Sequence, residues 1–511
     1  MVRSRSRRSG ATPRPRRRGH VRSEVRGQAP LRALDSRLQP SRIAGGINAS
    51  LIWRHRRLRC APLGGFMMVA LLAALVAVSA APAPASEKAF PFPVELHSLP
   101  NGLRVAFISY DAPGLVAYYT LMRVGSRNEA EKGKSGYAHF FEHMMFRGTK
   151  KHPAEEYNQT VTRLGLNTNA FTGQDMTVYH LYGPSKALPT IIEYEADRFQ
   201  NLDYDEAAFR TEAGAILGEY LKSASNPEQK MFEKLAETAF TRHPYGHTVI
   251  GYPKDIENMP SGYEYSREFF RRYYTPDNAT IFIAGDFDKE ATLAQIEKAY
   301  GSWKGRLDAA RIPVEPKQRQ SRHAQVDWDK PTLPRIWITW HTPAASDLKR
   351  AAVQSLLNAY LFGPTSPLYQ NLVLGKQLVD SMGATYTDHR DPNLSGVLMR
   401  VKDAKNLRAV EFAVLREIKN LAGGRVDAKR LDAVRSNLRY SNIMGLDKAD
   451  AAAVTLAVTT APTGDVESLN KEFAALAAVQ PRDLQDFAKG NFMDLNRTTV
   501  TLVTARKGGG R

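Results

Sequence analysis

Two histidines and a glutamate within residues 137–145 have the types and the spacing of a metal site. His139 and His143 are four residues apart, which is about one helical turn, so both imidazoles can reach the same cation. Glu142 lies next to His143, where a carboxylate can take a proton from a water on that cation. The order H-x-x-E-H is typical of one class of zinc peptidases and predicts a catalytic zinc site. A helix with a buried histidine and a surface Glu–His pair would give the same pattern.

A third protein ligand is needed, because a catalytic zinc ion keeps three of them and leaves its fourth position open for water. Residues 206–220 have the pattern of a helix, and Glu212 and Glu219 are seven residues apart on one face of it. Surface helices often carry such glutamates without any role. The spacing alone therefore leaves the third ligand open.

The chain resembles the pitrilysin/insulinase-like (M16) zinc metallopeptidases, and within them the processing-peptidase-like bacterial branch. In that family a glutamate ligand follows H-x-x-E-H at the separation that Glu219 has from His143, and another glutamate precedes it by seven residues, as Glu212 does here. The resemblance implies Glu219 as the third zinc ligand and Glu212 as a carboxylate that orients a ligand. It covers residues 95–505 and is densest at residues 99–105, 124–129, 166–179, 243–251 and 273–287.

Zinc-dependent endopeptidase activity on short or unfolded peptides is the function that this resemblance implies. A zinc ion on the two histidines and Glu219 would lower the pKa of its water toward neutrality, and Glu142 would serve as the general base. The alternative is a catalytically dependent or noncatalytic peptide-binding subunit of a heterodimeric peptidase. A noncatalytic subunit predicts a broken set of metal ligands, whereas this chain has the full set.

The expected peptide-binding residues are Asn169, Ala170 and Phe171, which the resemblance places on an edge strand. Backbone pairing along such a strand would bind an extended peptide with little choice of side chain. For Asn169, capping of a turn beside the strand is a comparably simple explanation.

Many family members place an arginine and a tyrosine over the reacting carbonyl. This chain lacks the arginine, and only a tyrosine stands near the expected position. No arginine stands near residues 372–373, and Tyr386, near the family's tyrosine, also fits an ordinary strand residue. A partner chain would then supply the missing pair. We therefore expect a homodimer, or a heterodimer with an inactive sister subunit.

The net charge of +19 comes mainly from the first 60 residues, which hold 17 Arg, one Glu and one Asp. Such a segment could bind nucleic acid, but its arginine runs at residues 3–8 and 14–18 have no interleaved aromatic residues and no folded pattern. We therefore expect no nucleic-acid partner. Residues 1–60 fit a disordered leader, or translated sequence upstream of the true start.

Residues 61–85 have the pattern of a signal peptide. Arginines at residues 54–59 precede an apolar run at residues 66–78, which is short for a membrane span, and small residues then offer cleavage sites. The only cysteine, Cys60, precedes these sites, so the exported protein would contain no disulfide. We expect a periplasmic protein without stable membrane insertion after cleavage, with an uncleaved membrane anchor as the alternative.

The rest of the chain predicts an α+β fold of two homologous units, each a mixed or antiparallel sheet packed with helices, like the halves of a clam shell. Residues 86–305 are the expected catalytic zinc-binding domain, residues 306–333 a polar interdomain linker, and residues 334–511 the homologous unit. The helix expected at residues 347–362 lacks H-x-x-E-H. The second unit is therefore predicted to be inactive.

Overall fold

The computed structural model describes residues 88–505, in which two β-sheets are surrounded by helices. The expected leader at residues 1–60 and the expected signal peptide at residues 61–85 lie outside the described residues. Between residues 88 and 505, no helix combines the length and the apolar character needed to cross a membrane.

The first sheet is built from six strands of the first half of the chain: β1 (Val94–Ser98), β2 (Arg104–Ile108), β3 (Leu115–Met122), β4 (Asn167–Thr172), β5 (Thr177–Pro184) and β6 (Ala279–Gly285). Their order across the sheet is β1-β2-β6-β3-β5-β4. β2 and β6 are parallel, and all other neighbours are antiparallel. The helices of this half are α1 (Tyr137–Met144), α2 (Ala154–Leu164), α3 (Leu188–Asn201), α4 (Glu206–Ser223), α5 (Pro227–Ala239), α6 (Pro253–Asn258), α7 (Tyr263–Tyr273) and α8 (Lys289–Tyr300).

The second sheet contains five strands: β7 (Arg322–Trp328), β8 (Arg335–His341), β9 (Val379–Thr385), β10 (Leu394–Val401) and β11 (Arg497–Thr504). The helices of this half are α9 (Leu348–Phe362), α10 (Pro367–Tyr369), α11 (Leu407–Gly423), α12 (Ala428–Met444), α13 (Ala449–Thr460), α14 (Ser468–Ala478) and α15 (Pro481–Asn491), with a π-helical turn at Gln370–Gly375.

The strand order of the second sheet repeats that of the first. β7-β11-β8-β10-β9 corresponds to β2-β6-β3-β5-β4, and the parallel pair β7/β11 matches the parallel pair β2/β6. This repeat confirms the predicted α+β class with two similar units of mixed sheet and helices.

Each sheet is covered on one face by a helix from the other half of the chain. α5 packs on β7 and β11, and its Met231 and Leu235 share an apolar cluster with Val500 and Leu502. α13 packs on β3 and β6 and presents small side chains such as Ala452. Because both faces of the first sheet are covered, β3 and β6 are buried almost throughout. Each half of the chain therefore contributes a helix to the hydrophobic core of the other half.

Part of the expected linker belongs to the second sheet. Residues 322–328 form β7, which pairs with β11 at the sheet edge. Every second residue of β7 is exposed, which gives this stretch the polar composition from which a linker was predicted. Upstream, the Glu315 carboxylate accepts hydrogen bonds from the backbone N–H groups of Arg242 and His243 at 2.9 and 3.1 Å. The other domain boundaries stay predictions.

Candidate metal centre

Helix α1, which carries both histidines of the motif, is fixed at its start by a buried carboxylate. Glu129 accepts hydrogen bonds from the backbone N–H groups of Gly136 and Ala138, each at 2.7 Å. Burial raises the pKa of Glu129 to about 8, against the effect of these donors, which favour the charged form. Gly136 has a φ of +94°, and a Cβ there would lie 2.7 Å from the carbonyl oxygen of Ile250. Glycine therefore suits this position, and the start of α1 is closely defined.

Helix α4, which carries the expected third ligand, packs directly on α1. Phe209, Ala213 and Ile216 form its fully buried face. Asp205 caps the helix by accepting a hydrogen bond from a backbone N–H of the first turn at 2.7 Å. The packing of these two helices brings Glu219 to the histidines of α1.

The structure brings His139, His143 and Glu219 together. Glu219 Oε2 lies 3.4 Å from His143 Nε2 and 3.7 Å from His139 Nε2, and one candidate ligand atom from each residue falls within 4.8 Å of the others. Ligands at about 2.1 Å from a tetrahedral zinc ion would be about 3.4 Å apart. Two imidazoles and one carboxylate also form a donor set that zinc favours when a fourth position stays open. These residues fit a zinc ion.

The two histidines differ in how their protons are held. Burial lowers the pKa of His139, which keeps this imidazole neutral and ready to donate a lone pair. Burial also acts to lower the pKa of His143, but hydrogen bonds with Glu212 and Glu219 outweigh it and raise the pKa to about 9. A cation at this site must therefore displace a proton from His143, and metal affinity should rise with pH.

Glu212 orients His143 from the side away from Glu219. Its Oε1 lies 2.9 Å from His143 Nδ1, which leaves Nε2 directed toward Glu219. The Arg147 side chain donates to the other oxygen of Glu212, from Nε at 2.5 Å. Arg147 and His143 together outweigh burial and lower the pKa of Glu212. Glu212 thus occupies the position expected of a carboxylate behind a metal-bound histidine. Its functional role stays a prediction.

The substitution Glu212→Gln is expected to weaken zinc binding by about 10- to 100-fold, since carboxylates that orient a histidine ligand typically contribute that much. The amide keeps the shape of the side chain but loses its charge. Competition with a chromogenic chelator measures the change in affinity. An unchanged zinc affinity in the variant would show that Glu212 only supports packing.

Glu142 lies on α1 between the two histidines, and its carboxylate is partly exposed. Thr172, the last residue of β4, donates a hydrogen bond from Oγ1 to Glu142 Oε2 at 2.6 Å. The carboxylate also opposes the effect of burial on the pKa of His139, so it lies near the metal ligands. The sequence did not predict the contact between Thr172 and Glu142, because 30 residues separate them along the chain.

The expected peptide-binding residues lie on β4, at the edge of the first sheet. Within residues 88–505, β4 pairs only with β5, so its other edge is open. Asn169 Oδ1 accepts a hydrogen bond from the backbone N–H of Ala170 at 2.9 Å, as in the capping alternative. Ala170 is buried and Phe171 is half-buried. Their contact with substrate stays a prediction.

The region expected to hold an arginine forms the π-helical turn Gln370–Gly375 and contains none. Tyr386 follows β9 and donates its hydroxyl hydrogen bond to Asp388, two residues along the chain. This contact gives Tyr386 a local structural role. A role in catalysis stays a prediction.

Helix α9, the expected counterpart of α1 in the second half, carries a pair of buried amides and no H-x-x-E-H. Gln354 and Asn358 on α9 are four residues apart and fully buried. Both donate to the hydroxyl of Ser395, at 3.0 and 2.7 Å, and Gln354 also donates to Asn358. Neutral amides held in this way do not supply the donors that zinc favours.

Two family patterns match the chain. The one described as Insulinase (Peptidase family M16) matches residues 110–252, which include α1 and α4. The one described as Peptidase M16 inactive domain matches residues 262–438, which include the amide pair of α9. The second match begins before the expected linker, so it does not define the domain boundary.

Curated relatives and solved structures agree with these matches. The zinc protease PqqE of Helicobacter pylori is 27% identical over 411 residues, which cover 79% of this chain and 91% of that protein. The mitochondrial-processing peptidase subunit beta of Lentinula edodes is 24% identical over 373 residues, covering 70% of this chain and 79% of that one. The crystal structure of a protease from Helicobacter pylori has a TM-score of 0.74 at 27% identity, covering 81% of this chain and 100% of that chain. The periplasmic protease PqqL of Escherichia coli has a TM-score of 0.65 at 19% identity, covering 80% of this chain and 47% of that chain.

Proposed function

The chain belongs to the M16 family of zinc proteases, and from this premise we propose that it is a zinc-dependent endopeptidase that hydrolyses short or unfolded peptides. One observation carries the proposal: His139, His143 and Glu219 place three metal-binding atoms within 4.8 Å of one another. Glu142 stands on the same helix, beside these ligands.

The residues around the site have different roles in the proposed peptide hydrolysis. Zinc, when bound, supplies a Lewis acid that polarises the scissile carbonyl and makes a water more acidic. Glu142 takes a proton from the attacking water and delivers it to the leaving amine. Glu212 holds His143 in the tautomer that leaves Nε2 free for the metal.

The open edge of β4 supports the proposed substrate class. An extended peptide can add to this edge through backbone hydrogen bonds, with Asn169, Ala170 and Phe171 beside it. A folded protein seldom offers a free extended segment, whereas a short or unfolded peptide does. Backbone pairing also favours broad sequence tolerance.

A partner chain is part of the proposal. Between residues 88 and 505, no arginine occupies the π-helical turn where the family resemblance implies one. A homodimer, or a heterodimer with an inactive sister subunit, would complete the site. The relative from Lentinula edodes is itself named a subunit. In the alternative function, this chain is the peptide-binding subunit of a heterodimeric peptidase. Such a subunit either needs its partner for catalysis or is noncatalytic.

Periplasmic location is proposed on two grounds. The sequence pattern at residues 61–85 fits a signal peptide. The similar structure from Escherichia coli is that of a periplasmic protease.

Removal of zinc is expected to abolish cleavage of an unfolded peptide mixture, and return of zinc in equimolar amount is expected to restore it. The experiment uses the purified protein, a chelator that is then dialysed away, and metal analysis of each sample. About one zinc per chain should accompany activity. A protein that binds zinc and peptide but never cleaves would favour the peptide-binding subunit, and one that cleaves equally well without metal would contradict the proposal.

A further inference from the structure

Within residues 88–505, Glu142, the general base of the proposed reaction, has one hydrogen-bond partner. Among the described residues, only Thr172 donates to the Glu142 carboxylate, from Oγ1 to Oε2 at 2.6 Å. This distance is that of a short, well-formed hydroxyl–carboxylate hydrogen bond. A glutamate side chain has several rotatable bonds and can adopt many orientations. A fixed donor that binds one carboxylate oxygen restricts the direction of the other oxygen.

Backbone pairing fixes the position of Thr172. It is the last residue of β4 and pairs with Thr177 of β5. The turn between the two strands is closed by a hydrogen bond from the Gly173 N–H to the Met176 carbonyl at 2.8 Å. The Thr172 hydroxyl is therefore carried by a strand end with little freedom to move.

The second half of the chain anchors this turn. Asp175 is buried, and its carboxylate accepts hydrogen bonds from the Tyr245 hydroxyl at 2.7 Å and from the Arg390 backbone N–H at 3.1 Å. His389 Nδ1 lies 2.9 Å from the same carboxylate. His389 and Arg390 precede β10, so the half without the metal-ligand set reaches the turn next to Thr172. A buried charge paired on several sides resists displacement.

We propose that Thr172 is a positioning residue that holds Glu142 in the orientation needed to receive the proton of the attacking water. The proposal rests on the proposed function of Glu142. It assigns the second half a part in the reaction as well, because that half secures the turn from which Thr172 reaches Glu142.

The substitution Thr172→Val tests this role, because valine keeps the shape and the β-branch that suit a strand and removes only the hydroxyl. We expect kcat on an unfolded peptide to fall at least about tenfold, since a misplaced general base loses much of its contribution. KM, zinc content and the thermal midpoint should stay at wild-type values. Thr172→Ser keeps the hydroxyl and should recover most of the lost kcat.

The matched control is Thr499→Val on β11 of the second sheet, where a strand threonine also donates to a glutamate, from Oγ1 to Glu411 Oε1 at 3.1 Å, outside the proposed site. This variant should keep the wild-type kcat. Equal kcat values for wild type and Thr172→Val, or equal losses in Thr172→Val and Thr499→Val, would overturn the positioning role. A wild-type protein without zinc-dependent cleavage would instead overturn the proposed function, so the two failures are distinguishable.

Discussion

Replacing Glu142 by glutamine is expected to reduce peptide hydrolysis by a factor of at least about 100 and to leave zinc binding unchanged. Glutamine has the same shape and can still accept the hydrogen bond from Thr172, but it cannot take a proton from water. General acid–base groups typically contribute a factor of about 100 to 10,000. The three candidate metal ligands are untouched by the change, so zinc content should stay at the wild-type level.

The measurement combines metal analysis with the rate of cleavage of an unfolded peptide mixture. Glu155→Gln is the matched control, because Glu155 is an exposed carboxylate on α2 whose hydrogen bond is to Gln159. Control and wild type should cleave at the same rate. If Glu142→Gln stays within about threefold of wild type, Glu142 is not the general base.

The same variant distinguishes the two candidate functions. In an endopeptidase, loss of the base should leave a protein that binds peptide without cutting it. In a peptide-binding subunit, the wild-type protein should already behave in this way, and Glu142→Gln should change nothing. Fluorescence anisotropy with a labelled peptide measures binding separately from cleavage.

The sequence predicted the part of the site that depends on local helix geometry. His139 and His143 share one face of α1 because four residues make about one helical turn. The pairing of Glu219 with them required the family resemblance, since no local rule brings two separate helices together. The presence of two similar units was likewise predicted from the sequence, whereas the strand order that they share was not.

Other features depend on tertiary packing and were not predicted. The exchange of α5 and α13 between the two sheets leaves no periodic signal of its own in the sequence. Strand β7 was assigned to a linker because an edge strand exposes alternate polar residues. The contact between Thr172 and Glu142 joins a strand end to a helix and depends on how α1 packs against β4.

Replacing Glu219 by alanine is expected to weaken zinc binding more than about 100-fold, beyond the effect of Glu212→Gln. Carboxylates that act behind a ligand contribute about 10- to 100-fold, and loss of a direct ligand should exceed that range. The fold should survive, because the Glu219 side chain is 45% exposed and lies outside the core of α4. Chelator competition measures the affinity, and the thermal midpoint of the metal-free protein checks the fold.

Glu206→Ala is the matched control for Glu219→Ala, because Glu206 is on the same helix and forms only an exposed ion pair with Arg210. Such surface pairs contribute little, so zinc affinity and the thermal midpoint should stay at wild-type values. If the two alanine variants bind zinc equally well, Glu219 is not a ligand. Two imidazoles would then be the whole protein contribution, too few for the three-ligand site that zinc hydrolysis requires. The proposed function depends on this comparison, because the histidine pair alone also fits a helix without metal.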